Sequence, residues 1–155
     1  MPQLNPGGKF IFGWSVIRPD GTVRLPEQAM REYGAAREGK VYLFTGSRST
    51  GGFCVTRRKL LKGSRLGHIL TELPQLDQYS EKEGELIPYK GRRYCWAALS
   101  EAGELVLTGK MRRALELEPG DRLLSIRSSD IAFTMGARGP LLARARDYSG
   151  EIPVF

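Results

Sequence analysis

The sequence predicts a mainly β protein of the α+β class, in which two tandem β-β-α-β-β units each carry one short helix. The first observation is an internal repeat: an offset of 82 residues aligns Trp14 with Trp96, Gly21 with Gly103 and Arg31 with Arg113. The second is a series of short apolar segments rich in aromatic and branched residues, which favour strands. The third is a helix-start signal at the same place in both copies.

Each unit opens with a strand and a tight turn. The apolar segments are KFIFGWSVI in the first unit and RYCWAAL in the second, and the turns that follow are RPDGT and SEAGE. Gly21 and Gly103 stand at turn positions that need a positive φ. The second strands are TVRLP and ELVLT, and in the first of these Val23 and Leu25 alternate with polar residues, as in a half-buried strand.

The helix of each unit begins with a different signal. Pro26 is predicted at the first helical position of the first unit, where its missing N–H costs nothing. Thr108 is predicted to cap the second helix, because its oxygen can accept from an otherwise unpaired backbone N–H. Met111 and Leu115 lie one turn apart on this helix, so both are expected to face the core.

The helices lead into two further strands in each unit, VYLFTG and GGFCVT in the first, RLLSIRS and IAFTMG in the second. Pro119 and Gly120 suit the centre of a type II turn between helix and strand. A last helix is predicted to start at Pro140, with Leu142 and Ala145 packed on the core. The predicted organisation is a first unit at 8–62, a linker with a short helix and an exposed charged stretch at 63–91, a second unit at 92–143 and a tail at 144–155.

The chain carries a net charge of +7, from 24 Lys and Arg against 17 Asp and Glu. The surplus is uneven, with +6 in residues 1–80 and +1 in residues 81–155. A basic surplus in one half indicates an anionic partner, nucleic acid first, or else a solvated basic face. The cluster of Arg57, Arg58 and Lys59 is interpreted as a solvated turn.

The sequence shows no sign of a membrane or an export segment. No apolar run approaches the roughly 18 residues of a membrane span. The first ten residues lack the basic and apolar regions of a signal peptide. We therefore expect a cytoplasmic protein with no membrane partner. Cys54 and Cys95 lie in apolar segments, so they are expected to be reduced, buried thiols.

The residue types that enzymes and metal sites need are scarce. His68 is the one histidine of the chain and has no evident triad partner. Cys54 and Cys95 are 41 positions apart with no CxxC, which disfavours a zinc site. The stretch GSRSTGG, residues 46–52, lacks the lysine and the flanking helix of a phosphate loop, so it is interpreted as a hairpin tip. We expect no catalysis, no cofactor and no metal.

The pattern G-x-[apolar]-x-[apolar]-P-x-x-x-R-x-x-x-G-[loop]-G-[D/K] resembles the AbrB/MazE/SpoVT family. The second copy, GELVLTGKMRRALELEPGDRLLSI, is the stronger match, and the first, GTVRLPEQAMREYGAAREGKVYLF, keeps the proline. The tandem arrangement is similar to that of MraZ proteins. The resemblance implies two units that exchange hairpins and close one swapped-hairpin barrel as an intrachain pseudo-dimer, and a further homo-oligomer stays open.

The resemblance also implies a DNA-binding protein, a prokaryotic transcription regulator whose basic side chains grip the phosphates of double-stranded DNA. Arg31 and Arg113 match the arginine of the family's helix, and Arg112 matches a frequent neighbouring arginine. Arg24 and Lys110 are nearby basic residues of the same surface. The alternative for Arg31 and Arg113 is an ion pair with a carboxylate of the neighbouring unit.

Three positions depart from the family. Thr22 and Glu104 stand where an arginine often follows the turn glycine, and Met30 stands where the second unit has Arg112. Glu104 would repel phosphate if it faced the duplex. The alternative function is therefore a non-catalytic protein-interaction module, antitoxin-like or with DNA binding lost, that holds a protein partner.

Overall fold

Each half of the chain has the predicted order of two strands, a helix and two strands. The computed structural model describes residues 9–148 and 150–155. Its strands are β1 (Ile11–Val16), β2 (Thr22–Arg24), β3 (Lys40–Thr45), β4 (Phe53–Thr56), β5 (Ile87–Tyr89), β6 (Arg92–Ala98), β7 (Glu104–Val106), β8 (Arg122–Arg127) and β9 (Phe133–Gly136). Its helices are α1 (Glu27–Tyr33), α2 (Arg58–Lys62), α3 (His68–Glu72), α4 (Pro74–Asp77), α5 (Gly109–Leu115) and α6 (Pro140–Arg146), with a 3₁₀ turn at Ala35–Glu38. The predicted α+β class is confirmed.

The strands pair across the two halves of the chain. The large sheet has the order β1-β8-β9-β4-β3-β6-β5, and every pairing in it is antiparallel. β1 of the first half pairs with β8 of the second, β3 pairs with β6, and β4 pairs with β9. β2 and β7 form a separate antiparallel ribbon. Each half therefore completes the sheet of the other.

The predicted closure of the strands into a barrel is wrong. In the part of the chain that the structure describes, the large sheet ends at β1 and β5 and forms no closed barrel. Segments outside the repeats cover the outermost strands of the repeats, β1 and β6. Residues 153–155 run along β1, where the Trp14 N–H donates to the Pro153 carbonyl and the Phe155 N–H to the Trp14 carbonyl, over 2.8 and 2.7 Å. β5 pairs with β6, and the Gly84 N–H donates to the Trp96 carbonyl over 2.9 Å, so β6 has backbone partners without a barrel.

The main hydrophobic core takes residues from both halves. Phe12 on β1, Phe53 on β4 and Phe133 on β9 are buried in it, and the rings of Phe12 and Phe133 meet edge to face with centroids 6.2 Å apart. Cys95 lies in the same core, Cys54 is also buried, and both thiols are free, as predicted. Because the loss of either half would expose this core, we expect the halves to fold together.

The segment between the halves is folded. α2, α3 and α4 pack a second apolar cluster against the sheet, in which Leu61 and Leu76 lie with Tyr42. α3 ends at Glu72, two residues ahead of Pro74, and Pro74 then starts α4. The charged stretch 77–85 is only partly exposed: Gly84 is buried, and its N–H donates to the Trp96 carbonyl of β6 over 2.9 Å.

The sequence predicts a solvated turn at Arg57, Arg58 and Lys59, and the structure differs. Arg57 is only 7% exposed, and its Nε donates to the Tyr33 carbonyl over 2.9 Å. Arg58 Nε donates to Asp77 Oδ1 over 2.8 Å. Only Lys59 of the three is exposed. The cluster therefore ties α2 to the ends of α1 and α4.

A third apolar cluster covers the β1 end of the sheet. α6 begins at Pro140, as predicted, and buries Leu142 and Ala145 in a cluster that also contains Ile11 and Trp14. Together with residues 153–155, α6 shields this end of the sheet from solvent.

Candidate nucleic-acid interface

The ribbon of β2 and β7 joins the two halves. Val23 faces Leu105 across it, and both side chains are buried in the main core. Because side chains alternate along a strand, the neighbouring residues point to the opposite face. The outward residues, which we call the ribbon face, are Thr22, Arg24, Glu104 and Val106. Each half contributes two of these side chains.

Reciprocal hydrogen bonds fix the ends of the ribbon. The Leu25 N–H donates to the Gly103 carbonyl, and the Leu107 N–H donates to the Gly21 carbonyl, each over 2.8 Å. Both glycines have the predicted positive φ, +86° at Gly21 and +83° at Gly103. Since α1 comes after Leu25 and α5 comes after Leu107, the turn of each half positions the helix of the other.

The two helices begin in different ways. Thr108 caps α5 as predicted, with its Oγ1 accepting from the Met111 N–H over 3.2 Å. Met111 and Leu115 are buried, also as predicted. Pro26 is the N-cap of α1 and not its first helical residue, because its ψ of 139° is extended. α1 therefore begins at Glu27 without a side-chain capping bond.

Arg31 on α1 and Arg113 on α5 lie at equivalent positions, and both are exposed. Arg31 Nη1 lies 3.9 Å from Glu27 Oε2, and the two side chains are 72% and 67% exposed. The Arg113 side chain makes no ion pair or hydrogen bond with the residues that the structure describes. Within those residues, neither arginine pairs with a carboxylate of the other half. An exposed pair of this length contributes little, so both guanidinium groups are available to another anion.

Arg24 and Lys110 are held loosely by acidic neighbours. Arg24 Nη2 lies 3.9 Å from Glu27 Oε1, and its buried Nε has no hydrogen-bond partner. Lys110 Nζ lies 3.7 Å from Glu85 Oε1, in the segment between the halves. Glu27 thus serves both Arg24 and Arg31, and one carboxylate cannot fully neutralise two guanidinium groups.

Arg112 differs from the other predicted residues because its side chain turns inward. Its Nη1 donates to the Leu107 carbonyl, and the guanidinium group packs on Gly21 of the other half. A side chain at position 21 would collide with Arg112 Nη1 and with the Leu107 carbonyl. Met30, the equivalent residue of α1, packs on Gly103. Met30 and Arg112 therefore make the same kind of contact, each with the turn glycine of the other half. The first half makes this contact with an apolar side chain and the second half with a charged one.

Glu104, the acidic residue of the ribbon face, is paired. Its Oε2 accepts from Arg18 Nη1 over 2.7 Å, which partly offsets the repulsion expected from its charge. Thr22 is also engaged: its hydroxyl and its N–H both donate to Asp20 Oδ1, and these hydrogen bonds lower the pKa of Asp20. Sequence reasoning missed Arg18, because its partner lies 86 residues away along the chain.

The residue types that often serve in catalytic and metal sites are here two buried thiols and one exposed imidazole. Burial raises the pKa of Cys95 to about 12 and also raises that of Cys54, which keeps both thiols protonated near neutral pH. His68 is exposed, and its Nδ1 lies 3.1 Å from the Arg65 carbonyl. Residues 9–148 and 150–155 contain no group of three His, Cys, Asp or Glu that could hold a metal ion. None of their helices is long and apolar enough to cross a membrane.

The structure brings the five predicted basic residues to the ribbon and its two helices, where Arg112 is anchored and the other four are exposed or loosely paired. The candidate site is therefore the surface formed by the ribbon, α1 and α5, with the charged side chains that these elements carry. Comparisons with models of protein families and with curated proteins find no match to this sequence.

Proposed function

We propose that the protein binds double-stranded DNA with the ribbon face, α1 and α5, as a transcription regulator of the AbrB/SpoVT type. The observation that carries this proposal is the placement of Arg31 and Arg113. They occupy equivalent positions in two helices, which the reciprocal bonds of Gly21 and Gly103 hold beside one ribbon. Two equivalent cations suit a duplex, because its backbone presents phosphates on both sides of a groove.

Strand exchange supports a swapped-hairpin relationship between the halves. β1 and β3 of the first half pair with β8 and β6 of the second, and the main core is common to both. This is the arrangement expected of two AbrB-like units related by a pseudo-two-fold axis. Here one polypeptide supplies both units, so the proposed DNA surface is complete without a second copy.

The proposed contacts are electrostatic. Arg31 and Arg113 neutralise phosphates directly, because neither is committed to a strong ion pair. Arg24 and Lys110 contribute when phosphate replaces their loosely held carboxylates. Arg112 holds the start of α5 in place and adds its charge to the same surface. Contacts of this kind position a protein on DNA without reading the base sequence.

A salt titration tests the proposal. Each phosphate contact releases condensed counterions, so the logarithm of the binding constant falls with the logarithm of salt concentration by about 0.9 per contact. The double variant Arg31→Ala/Arg113→Ala should make this slope shallower by about 2. Folding should barely change, because both side chains are exposed. The measurement is fluorescence anisotropy with a labelled duplex of arbitrary sequence.

The matched control removes two cations from strand ends that point away from the ribbon. Lys9, ahead of β1, and Lys90, between β5 and β6, are exposed. β1 leads into the ribbon from its other end, and the register of β3 with β6 places Lys90 at the end of β6 opposite to the ribbon. Lys9→Ala/Lys90→Ala should therefore keep the parental slope. If both double variants lose the same slope, the charge of the whole molecule is responsible, and the assignment to Arg31 and Arg113 is wrong.

A protein-interaction module is the second candidate. Val106 exposes 47% of its surface on the ribbon face, beside the acidic Glu104. An apolar and an acidic side chain suit a protein partner better than a phosphate backbone. The same titration separates the two functions, because electrostatic affinity for DNA is greatest at low salt. Absence of duplex binding under that condition would favour the protein partner.

A further inference from the structure

We propose that a basic cleft at the C-terminal end of α1 binds a phosphate-bearing anion with several negative charges. The cleft has a volume of about 670 Å³ and lies between the 3₁₀ turn after α1 and helix α2. The cleft is broadly open to solvent. None of the residues proposed to contact DNA lines the cleft. The seven residues of α1, about 10 Å of helix, separate it from the ribbon.

The floor of the cleft is an ion pair that is already satisfied. Arg57 Nη1 donates to Glu38 Oε2 over 2.9 Å, while its Nε holds the Tyr33 carbonyl. The same Glu38 oxygen accepts from the Lys59 N–H over 3.3 Å. Glu38 is the one carboxylate among the described residues that line the cleft, and two donors occupy it. The floor is therefore rigid and close to neutral.

The rim of the cleft is positive. Arg37, Lys59 and Lys62 line it, are exposed, and form no ion pair with any residue that the structure describes. Lys59 and Lys62 are three positions apart on α2, so their side chains lie on the same side of the helix. Arg58, also at the cleft, is committed to Asp77 over 2.8 Å. Three uncompensated charges around one concavity favour an anion of similar charge.

The side chains that line the cleft also indicate which class of anion it binds. Ammonium and guanidinium groups bind phosphate oxygens through short, charge-assisted hydrogen bonds. No aromatic side chain lines the cleft within the described part of the chain, so nothing there would stack on a base. The cleft therefore fits phosphate groups themselves, either in a small polyphosphate or in a DNA backbone that continues from the ribbon.

Titration with inorganic tripolyphosphate at low salt tests the site. The parent protein should bind one anion per chain. Lys59→Ala/Lys62→Ala should bind it at least about tenfold more weakly, because it loses two charged hydrogen-bond donors. Lys59→Gln/Lys62→Gln keeps most of the side-chain length and should lose as much, which separates charge from packing. Circular dichroism should show unchanged folding, since both lysines are exposed.

Two control variants keep this test independent of the proposed DNA surface. Lys9→Ala/Lys90→Ala has the same change in net charge, and Arg31→Ala/Arg113→Ala lacks the proposed DNA contacts, so both should bind tripolyphosphate like the parent. Equal affinity in the lysine variants and the parent, or the absence of saturable binding, would overturn the proposal.

Competition with a duplex identifies the source of the phosphate groups. If the duplex displaces tripolyphosphate, and the lysine variants bind the duplex with a shallower salt slope, the cleft takes the DNA backbone. If tripolyphosphate stays bound beside the duplex, or if the parent binds no duplex at all, the ligand is a small polyphosphate.

Discussion

Glu104 places a negative charge on the ribbon face, and this charge opposes the proposed binding of DNA. Its carboxylate is bonded to Arg18 and lies opposite Arg24 across the ribbon. A carboxylate beside two guanidinium groups lowers the positive potential around both. Glu104 is therefore expected to limit the affinity of the ribbon face for anions.

Glu104→Gln should tighten binding to duplex DNA. The change removes one negative charge and releases Arg18, so the salt slope should steepen by about 0.9, the contribution of one phosphate contact. Glu101→Gln is the matched control, because it removes the same charge from the neighbouring turn and releases no arginine among the described residues. Anisotropy titrations over a range of salt measure both variants. Equal effects would mean that net charge, and not Arg18, governs the affinity.

Glu81 is a residue whose charge bears on stability. Its Oε1 is buried without a hydrogen-bond partner, and burial, with a smaller effect of the nearby Glu85, raises its pKa to about 7. The ordinary pKa of the group is 4.5. The folded protein thus keeps a proton that the unfolded chain releases between these two values. The stability that this proton contributes is fully present below pH 4.5, the ordinary pKa, and is lost as pH rises through about 7, the pKa in the folded protein.

Glu81→Gln should remove this pH dependence. At about pH 5, where the parent carboxyl is neutral, parent and variant should have similar free energies of unfolding. At about pH 8 the variant should be the more stable, because it buries no charge. The residue-81 carbonyl that accepts from Trp96 Nε1 is kept. Urea unfolding at both pH values measures the difference, and a difference that does not grow with pH would contradict the raised pKa.

Among the elements, α1 and α5 occupy equivalent places but start differently. Thr108 supplies a side-chain cap to α5, and Pro26 supplies none to α1. Helices of seven residues are too short to be stable in isolation, so both depend on the tertiary contacts at the ribbon. The cap of α5 is therefore a local contribution that can be measured.

Thr108→Ala should lower the free energy of unfolding by about 1 kcal/mol, because the Met111 N–H loses its acceptor. Thr108→Ser keeps the oxygen and should lose much less. The alanine variant should also weaken DNA binding, since α5 carries Arg113. Urea denaturation and anisotropy measure the two effects. A stability loss of the same size in the serine variant would assign the effect to the threonine methyl group.

Local sequence signals predicted the strands and helices, but they could not predict contacts between residues far apart in the chain. The positive φ of Gly21 and the helix cap of Thr108 were predicted correctly, because a turn or a cap is determined by about four neighbouring residues. The ion pair of Arg18 with Glu104 joins residues 86 positions apart, so no local pattern indicates it. The barrel was predicted because the resemblance describes the repeats alone, and β5 and residues 153–155, which cover the sheet edges, lie outside them.

The candidate site was also predictable only where local sequence patterns determine it. The exposure of Arg31 and Arg113 follows from the helical pattern of apolar residues around them. The inward turn of Arg112 does not follow from it, because the space that Arg112 fills belongs to Gly21 of the other half.

In the whole molecule, the two halves are held together by more than the segment that connects them. Four strand pairings cross between the halves, and the main core is common to both. The covalent connection should therefore be dispensable once the chain has folded.

Cutting the chain between Lys90 and Gly91 should leave the halves associated. Both residues are exposed and lie in the turn between β5 and β6, so inserted residues of a protease site would extend into solvent there. The cleaved protein should elute from a size-exclusion column at the position of the uncut protein with the same insertion. The two fragments should separate only in denaturant. Separation in native buffer would contradict a shared core.

Met30 and Arg112 fill equivalent positions against the turns of the opposite halves with a thioether and a guanidinium group. A dimer of identical chains presents one surface twice and so favours a palindromic target. In this chain the two copies differ at that position, and only the second half carries Glu104 on the ribbon face. A duplex bound along the ribbon would meet unlike ends of the protein, so the complex would have one orientation and a direction along the DNA.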